Sequence, residues 1–315
     1  MKFSFKIQQY QTDAVDAVAR VFQGQPYNAG VSYLRDMGNL SAQPQQLSLV
    51  SNGDDATQVE LQDLINDSGF KNEALQLTEQ ELLQNIRALQ AEANIHQSDK
   101  LVAPLGRCSL DIEMETGTGK TYVYLRTIME LNRAYGFTKF VIVVPSIAIK
   151  EGVYKSLEIT KEHFEELYDN VSYDYFIYDS SNPEQVRNFA VSDTIQIMVI
   201  NIDAFRRSFT DPQKENKANI IHRSIDKLNG MKPIELIQET NPFVIIDEPQ
   251  SVDTTPKSKE ALASLNALCT LRYSATHVDR HALVYKLDAV DAFDLELVKQ
   301  IEVASFESVD YHNKA

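Results

Sequence analysis

Ser109-Leu110-Asp111-Ile112-Glu113-Met114-Glu115-Thr116-Gly117-Thr118-Gly119-Lys120-Thr121 decides the fold. An alternating apolar run enters a glycine-rich turn, and residues with helical periodicity follow, so the stretch predicts a strand, a loop and a helix start. That arrangement cradles nucleotide phosphates, because backbone N–H groups of the turn and of the helix N-terminus point at the anion. In it, Thr116, Gly117, Thr118 and Gly119 form the cradle, Lys120 reaches the β- and γ-phosphates, and the Thr121 hydroxyl holds Mg²⁺. A strict phosphate loop has glycine at position 114, where this chain has Met. Gly117, Gly119, Lys120 and Thr121 keep the rest of the pattern, and ATP is the expected ligand. The competing reading is a glycine turn with a chance Gly-Lys-Thr.

Outward from the loop, Phe243-Val244-Ile245-Ile246-Asp247-Glu248-Pro249-Gln250 reads as a buried parallel strand ending in two carboxylates. Ligands bind at that edge of open α/β sheets. Asp247 is expected to bind Mg²⁺ and Glu248 to orient or deprotonate the attacking water, which makes Lys120, Asp247 and Glu248 the candidate catalytic set. The plainer alternative is an acidic turn after a core strand. A further strand-like run, Cys269 to Tyr273, ends in Ser274-Ala275-Thr276. Hydroxyls there are placed to bond the Asp247 and Glu248 carboxylates, so Ser274 and Thr276 are candidates for coupling nucleotide state to domain movement.

The order of phosphate loop, acidic strand and Ser-Ala-Thr resembles motifs I, II and III of superfamily 2 helicases and translocases. Val143-Val144-Pro145-Ser146-Ile147-Ala148-Ile149-Lys150-Glu151-Gly152-Val153 looks like motif Ia. Together with the Asp-Glu-Pro-Gln spelling, it is similar to the Res subunit of type III restriction-modification enzymes, over roughly residues 100–305 and a short N-terminal piece. The resemblance implies a RecA-like P-loop α/β domain with a mainly parallel central sheet. It also implies ATP and Mg²⁺ as cofactors, and double-stranded DNA and a modification (methyltransferase) subunit as partners. The activity implied is DNA-dependent ATP hydrolysis that drives translocation or switching for endonucleolytic cleavage. It places one DNA strand against Ser146 and Lys150. Asn201 and Asp203 follow another strand-like run where such motors have a second strand-contacting motif, although Asp203 equally reads as a cap for a helix over Ala204–Arg207. Near the N-terminus, Tyr10-Gln11 resembles the pair that lies over adenine: Gln11 reads the base edge with its amide and Tyr10 stacks nearby. The same segment also reads as an ordinary amphipathic helix with Ala14, Val15, Val18 and Val21 on one face. Another superfamily 2 DNA or RNA helicase, or a non-hydrolysing ATP-dependent assembly module, are the alternative functions.

Composition sets bounds. The 315 residues allow one large or two ordinary domains, and 43% hydrophobic residues allow a substantial core. No run approaches the ~18–20 apolar residues of a membrane span, and the start lacks the apolar core of a secretion signal. Two cysteines, Cys108 and Cys269, give no disulfide framework and read as buried free thiols, which fits a cytoplasmic protein. The net charge of −15 is awkward for a DNA tracker, whose affinity is largely phosphate neutralisation. A local basic strip would resolve this, with Lys150, Lys155, Arg206 and Arg207 as its candidates.

The expected organisation is an adenine-motif segment over 1–23 and a Gln/Asn-rich, partly helical insertion over 24–106. A first RecA-like domain follows over 107–282, then the start of a connection to a second one over 283–315. Within the insertion, residues 43–58 read as a loop, and Thr78 to Gln97 as a helix capped by Thr78 with Glu81 three residues on. Strand and helix signals alternate from 107 onward, which predicts a parallel sheet covered on both faces. Residues 208–232 read as a long loop or inserted hairpin. After Thr276 too few residues remain for a second RecA-like domain or a nuclease. The chain is therefore expected to be the N-terminal motor half of a longer protein, one that binds ATP with little turnover alone.

Overall fold

Long apolar runs separated by helical segments fold into one sheet. The computed structural model describes residues 5–34, 68–208 and 211–298; residues 43–58 and the end of the 283–315 tail lie outside them. The first helix, α1 (Gln9–Val21), precedes a two-stranded antiparallel ribbon of β1 (Val31–Leu34) and β2 (Ser68–Lys71), and then α2 (Glu79–Glu92). The remaining strands are β3 (Ser109–Met114), β4 (Lys139–Val144), β5 (Tyr173–Ile177), β6 (Ile195–Asn201), β7 (Phe243–Asp247), β8 (Thr270–Ser274) and β9 (Ala282–Leu287). They form a seven-stranded sheet in the order β5-β6-β4-β7-β8-β3-β9, with every neighbouring pair parallel. Its helices are α3 (Lys120–Tyr135), α4 (Ile147–Leu167), α5 (Glu184–Val191), α6 (Pro233–Glu239), α7 (Pro249–Val252), α8 (Pro256–Ala263) and α9 (Ala289–Asp294). This is the RecA-like α/β architecture that the motif order implies.

Alternation along each strand sends side chains to two separate cores. On one face Leu110, Ile112, Ile142, Ile245 and Tyr273 pack against residues of α1, α2, α3 and α4. On the other, Val141, Val143, Met198, Val244 and Ile246 pack against α5, α6 and α8. Strands buried on both faces read as continuous apolar runs, as these do.

Two expected boundaries do not coincide with the structure. The division at 282/283 runs through β9, which pairs with β3 over Leu110–Met114, so the sheet extends to Leu287. The stretch 24–106 is not a detached elaboration in its second half. Leu75, Leu77, Leu82, Ile86 and Leu89 belong to the main core, and α2 packs on α1 and β9. Residues 211–232 hold short 3₁₀ turns, Pro212–Lys217, Ile220–His222 and Asp226–Leu228, with no hairpin among the described residues. The cap after β6 is Asn201, whose side chain accepts from Asp203 N at 2.7 Å, so Asp203 is capped here and does not itself cap Ala204–Arg207.

Candidate active site

The strand order brings the sequence motifs together. β8 lies between β3 and β7, so the phosphate loop, the Ser-Ala-Thr segment and the acid pair leave adjacent C-terminal strand ends. Gly117 and Gly119 take positive φ (86° and 91°), the left-handed conformation that glycine adopts without steric cost. They turn the chain from β3 into α3, where the first amides have no intrahelical acceptor. Thr118 is buried and its hydroxyl donates to Glu115 O at 2.6 Å, while Thr116 N donates to the Glu115 carboxylate at 2.7 Å.

Lys120 is the hinge of the site. Its Nζ lies 3.1 Å from Glu248 Oε1 and donates to Met114 O at 3.3 Å. Glu248 is held from three sides. Gln250 Nε2 donates to its Oε2 at 2.7 Å, Ser274 Oγ donates to the same oxygen at 3.1 Å, and Lys120 holds Oε1. Burial pushes the Glu248 carboxyl up, but Gln250, Lys120 and Ser274 outweigh it and hold it below the usual glutamate range. Its backbone has φ 55°, uncommon for a non-glycine residue, and its N–H donates to Tyr273 O at 2.9 Å. Asp247 behaves in the opposite way. Burial, reinforced by the Glu248 charge and only partly offset by Lys120, lifts its carboxyl to about 6. The Tyr124 hydroxyl donates to Asp247 Oδ2 at 3.4 Å, and the Thr121 side chain acts on the same hydroxyl, so Tyr124 stands between the two residues expected to share a cation.

The N-terminal pair closes the loop's other side. Tyr10 Oη and Gln11 Nε2 both donate to Thr118 O, at 3.0 and 3.1 Å, and Gln11 Nε2 also reaches Tyr10 Oη at 3.3 Å. Gln11 is buried, and its amide nitrogen is committed to the loop, leaving the carbonyl oxygen for other contacts. Ser274 meets Glu248 as expected. Thr276 does not: it is exposed and joins only through its backbone, its N donating to Ser274 Oγ at 3.2 Å and its O lying 2.7 Å from the same oxygen.

A second feature lies at the β5, β6 and β4 end of the same sheet edge. A cavity of about 2000 Å³ is lined by the cations Lys150, Arg206, Arg207, Lys217, Arg223 and Lys257, against the anions Asp179, Asp203 and Glu260. Lys150, Arg206 and Arg207 of the expected basic strip therefore face one groove. Lys155 does not line it and pairs with Glu158 at 2.7 Å. Ser146, expected at DNA, caps α4 by accepting from Ile149 N at 3.3 Å.

The family model described as type III restriction enzyme, res subunit, matches residues 74–279. The chain belongs to this Res subunit family. It is 34% identical over 249 residues to the type III restriction-modification enzyme EcoP15I Res subunit of Escherichia coli. It is 32% identical over 242 residues to the EcoPI Res subunit of Escherichia phage P1. Each match covers 73% of this chain and 25% of the relative, so the chain spans a quarter of the length of these Res subunits. Among solved structures, a nuclease-deletion mutant of the type ISP restriction-modification enzyme LlaGI, in complex with a DNA substrate mimic, is 14% identical with a TM-score of 0.41. That match covers 68% of this chain and 18% of the other.

Three contacts of this Res-family site went unread in the sequence: Tyr124 at Asp247, Gln250 at Glu248, and Tyr285. The Tyr285 hydroxyl, on β9, donates to Tyr10 O at 2.8 Å and ties the N-terminal pair to the sheet. Tyr124 alone carried a signal, since it stands three residues after Thr121 on α3, one helical turn along the same face.

Proposed function

We propose that this domain is the ATP-binding motor module of a type III restriction enzyme Res subunit. In this reading it takes part in DNA-dependent ATP hydrolysis that drives translocation or switching for DNA cleavage. The observation that carries the reading is the convergence at Glu248, a carboxylate held by the phosphate-loop lysine on one side and by Ser274 and Gln250 on the other.

The residues present fit ATP with Mg²⁺. Thr121 and Asp247 offer the hard oxygen donors that Mg²⁺ takes. A cation beside Asp247 would also offset the burial and the neighbouring Glu248 charge that raise the Asp247 carboxyl. Lys120, the loop amides and Thr116 to Gly119 would hold phosphate, and Tyr10 and Gln11 the adenine side. When bound, Mg²⁺ supplies charge neutralisation at the transferring phosphoryl group. Glu248 positions the attacking water. Its lowered carboxyl keeps it an acceptor at neutral pH, and its three partners fix its orientation. Ser274 links that carboxylate to the motif III loop, and Thr276 extends the link through its backbone.

Duplex DNA would lie along the basic groove, contacting Lys150 and the N-terminal turn of α4 at Ser146. A modification subunit is the proposed protein partner, and the bacterial cytoplasm the proposed location. Among the described residues no helix is long and apolar enough to cross a membrane.

The test is ATP binding and steady-state hydrolysis, with and without duplex DNA, beside Lys120→Ala and Glu248→Gln. Lys120→Ala is expected to raise the nucleotide Kd about 10- to 100-fold, as loss of charge-assisted hydrogen bonds predicts. Glu248→Gln is expected to keep binding and lose turnover. Unchanged nucleotide affinity in Lys120→Ala would sink the site assignment, and full turnover in Glu248→Gln would remove Glu248 from its role.

A further inference from the structure

The sheet face toward α5, α6 and α8 is mainly apolar along β4, β6 and β7, with the buried Lys139 and Gln196 at the starts of β4 and β6, and at β3 and β8 it is charged. Asp111 and Glu113 fall on that face of β3, and Arg272 and Ser274 are their register partners on β8. Two more side chains fold into this cluster: Asp253, which follows the acid-pair segment, and His277, which directly follows Ser274-Ala275-Thr276. Arg272 Nη1 lies 2.8 Å from Asp111 Oδ1 and its Nη2 lies 3.2 Å from Asp253 Oδ2. The Asp111 and Arg272 side chains are 1% and 2% exposed, and the His277 imidazole 0%.

The imidazole is wedged between the two acids of the phosphate-loop strand. Its Nε2 lies 3.5 Å from Asp111 Oδ1 and 3.2 Å from Arg272 O; its Nδ1 lies 3.6 Å from Glu113 Oε1. Burial and the Arg272 charge favour the neutral ring, which has one N–H. With that proton on Nε2, directed at Arg272 O, Nδ1 is left a bare acceptor, and it is a buried atom without a hydrogen-bond partner.

We propose that His277 is a positioning residue that fastens the Ser-Ala-Thr loop to the phosphate-loop strand and so sets where Ser274 meets Glu248. Two contacts of the Nε2–H fix the loop, the bond to Arg272 O on β8 and the approach to Asp111 Oδ1 on β3 at 3.5 Å, while Nδ1 faces Glu113 without a bond. Ser274 is three residues away and its hydroxyl bonds Glu248. The consequence for turnover rests on the ATP-site reading, but the fastening itself does not.

Amide hydrogen exchange on this chain tests the fastening. His277→Ala is expected to speed exchange across residues 274–278 about tenfold, the effect of one lost buried hydrogen bond. His277→Asn, which keeps a donor for Arg272 O, is expected to restore part of the protection. Glu113→Gln gives Nδ1 an amide donor and is expected to slow exchange in the same segment. Wild-type exchange there in all three variants would overturn the proposal. If His277→Ala loosens the whole chain, Glu113→Gln decides alone: slower local exchange upholds the fastening, and unchanged exchange overturns it. In a Res complex that turns over ATP, the His277→Ala loss is expected in kcat, with KM within about twofold. Failure of wild-type protein to bind ATP would sink the site reading and leave the exchange result standing.

Discussion

At Asp247, stability and chemistry pull in opposite directions. Its carboxyl, buried beside a second acid, titrates near 6 against an ordinary value of 3.8. Between those values the folded protein holds a proton that the unfolded chain has lost. The group's contribution to stability is therefore complete below about pH 4 and is lost as pH rises through about 6. Above that range the buried charge costs up to about 3 kcal/mol. Asp247→Asn keeps an acceptor for the Tyr124 hydroxyl and has no charge to bury. It is expected to raise the melting temperature by several degrees near pH 8 and hardly at all near pH 4.5, where Asp247 is already protonated in the fold. Equal gains at both pH values would remove burial of the Asp247 charge as the cause. The same variant is expected to weaken Mg²⁺-dependent nucleotide binding, since it deletes the anionic oxygen.

Among the elements, α2 shows what the sequence revealed and what it concealed. Its start was legible because Thr78 and Glu81 form a reciprocal capping box: Thr78 Oγ1 accepts from Glu81 N at 3.2 Å and Glu81 Oε2 accepts from Thr78 N at 2.8 Å. What it packs against was not legible, because α1 and β9 lie far from it in sequence. Leu82 and Ile86 are fully buried. Ile86→Ala is therefore expected to cost about 2–5 kcal/mol, against about 1 kcal/mol for Thr78→Ala, both measured by urea unfolding. An unchanged midpoint for Ile86→Ala would mean that α2 is a removable elaboration after all. The central strands were readable since burial on both faces leaves unbroken apolar runs. By contrast, β9 is an edge strand whose exposure alternates, and its partner β3 lies far back in the chain, so Ala282–Leu287 carried no strand signal strong enough to move the expected boundary. The phosphate loop, acid pair and Ser274 were legible from motif order. Gln250 and Tyr285 were not, because a glutamine or tyrosine acquires a role only from neighbours that the fold supplies.

For the whole molecule the question is how a chain of net charge −15 would meet the proposed duplex DNA. Bulk repulsion is screened beyond about 10 Å at moderate salt, so a local surface decides contact. Contiguity of that surface was invisible in the sequence, since its cations come from α4, the turn after β6, the 211–232 segment and α8. Arg206 and Arg207 supply adjacent charges on the groove wall. The Arg206 pair with Asp203, at 2.8 Å and half exposed on both sides, contributes little to stability, so replacing the arginine should leave the fold intact. The double substitution Arg206→Ala/Arg207→Ala is expected to weaken duplex DNA binding for every sequence alike. It should also make the slope of log K against log salt shallower by about 1.8, two phosphate contacts at about 0.9 each. Lys155→Ala, outside the groove and paired with Glu158, is expected to change neither quantity and serves as the control for net charge. Measured salt titrations with equal slopes for wild type and the double variant would move the DNA path away from this groove. Equal weakening by Lys155→Ala would show that overall charge, rather than this surface, governs the contact.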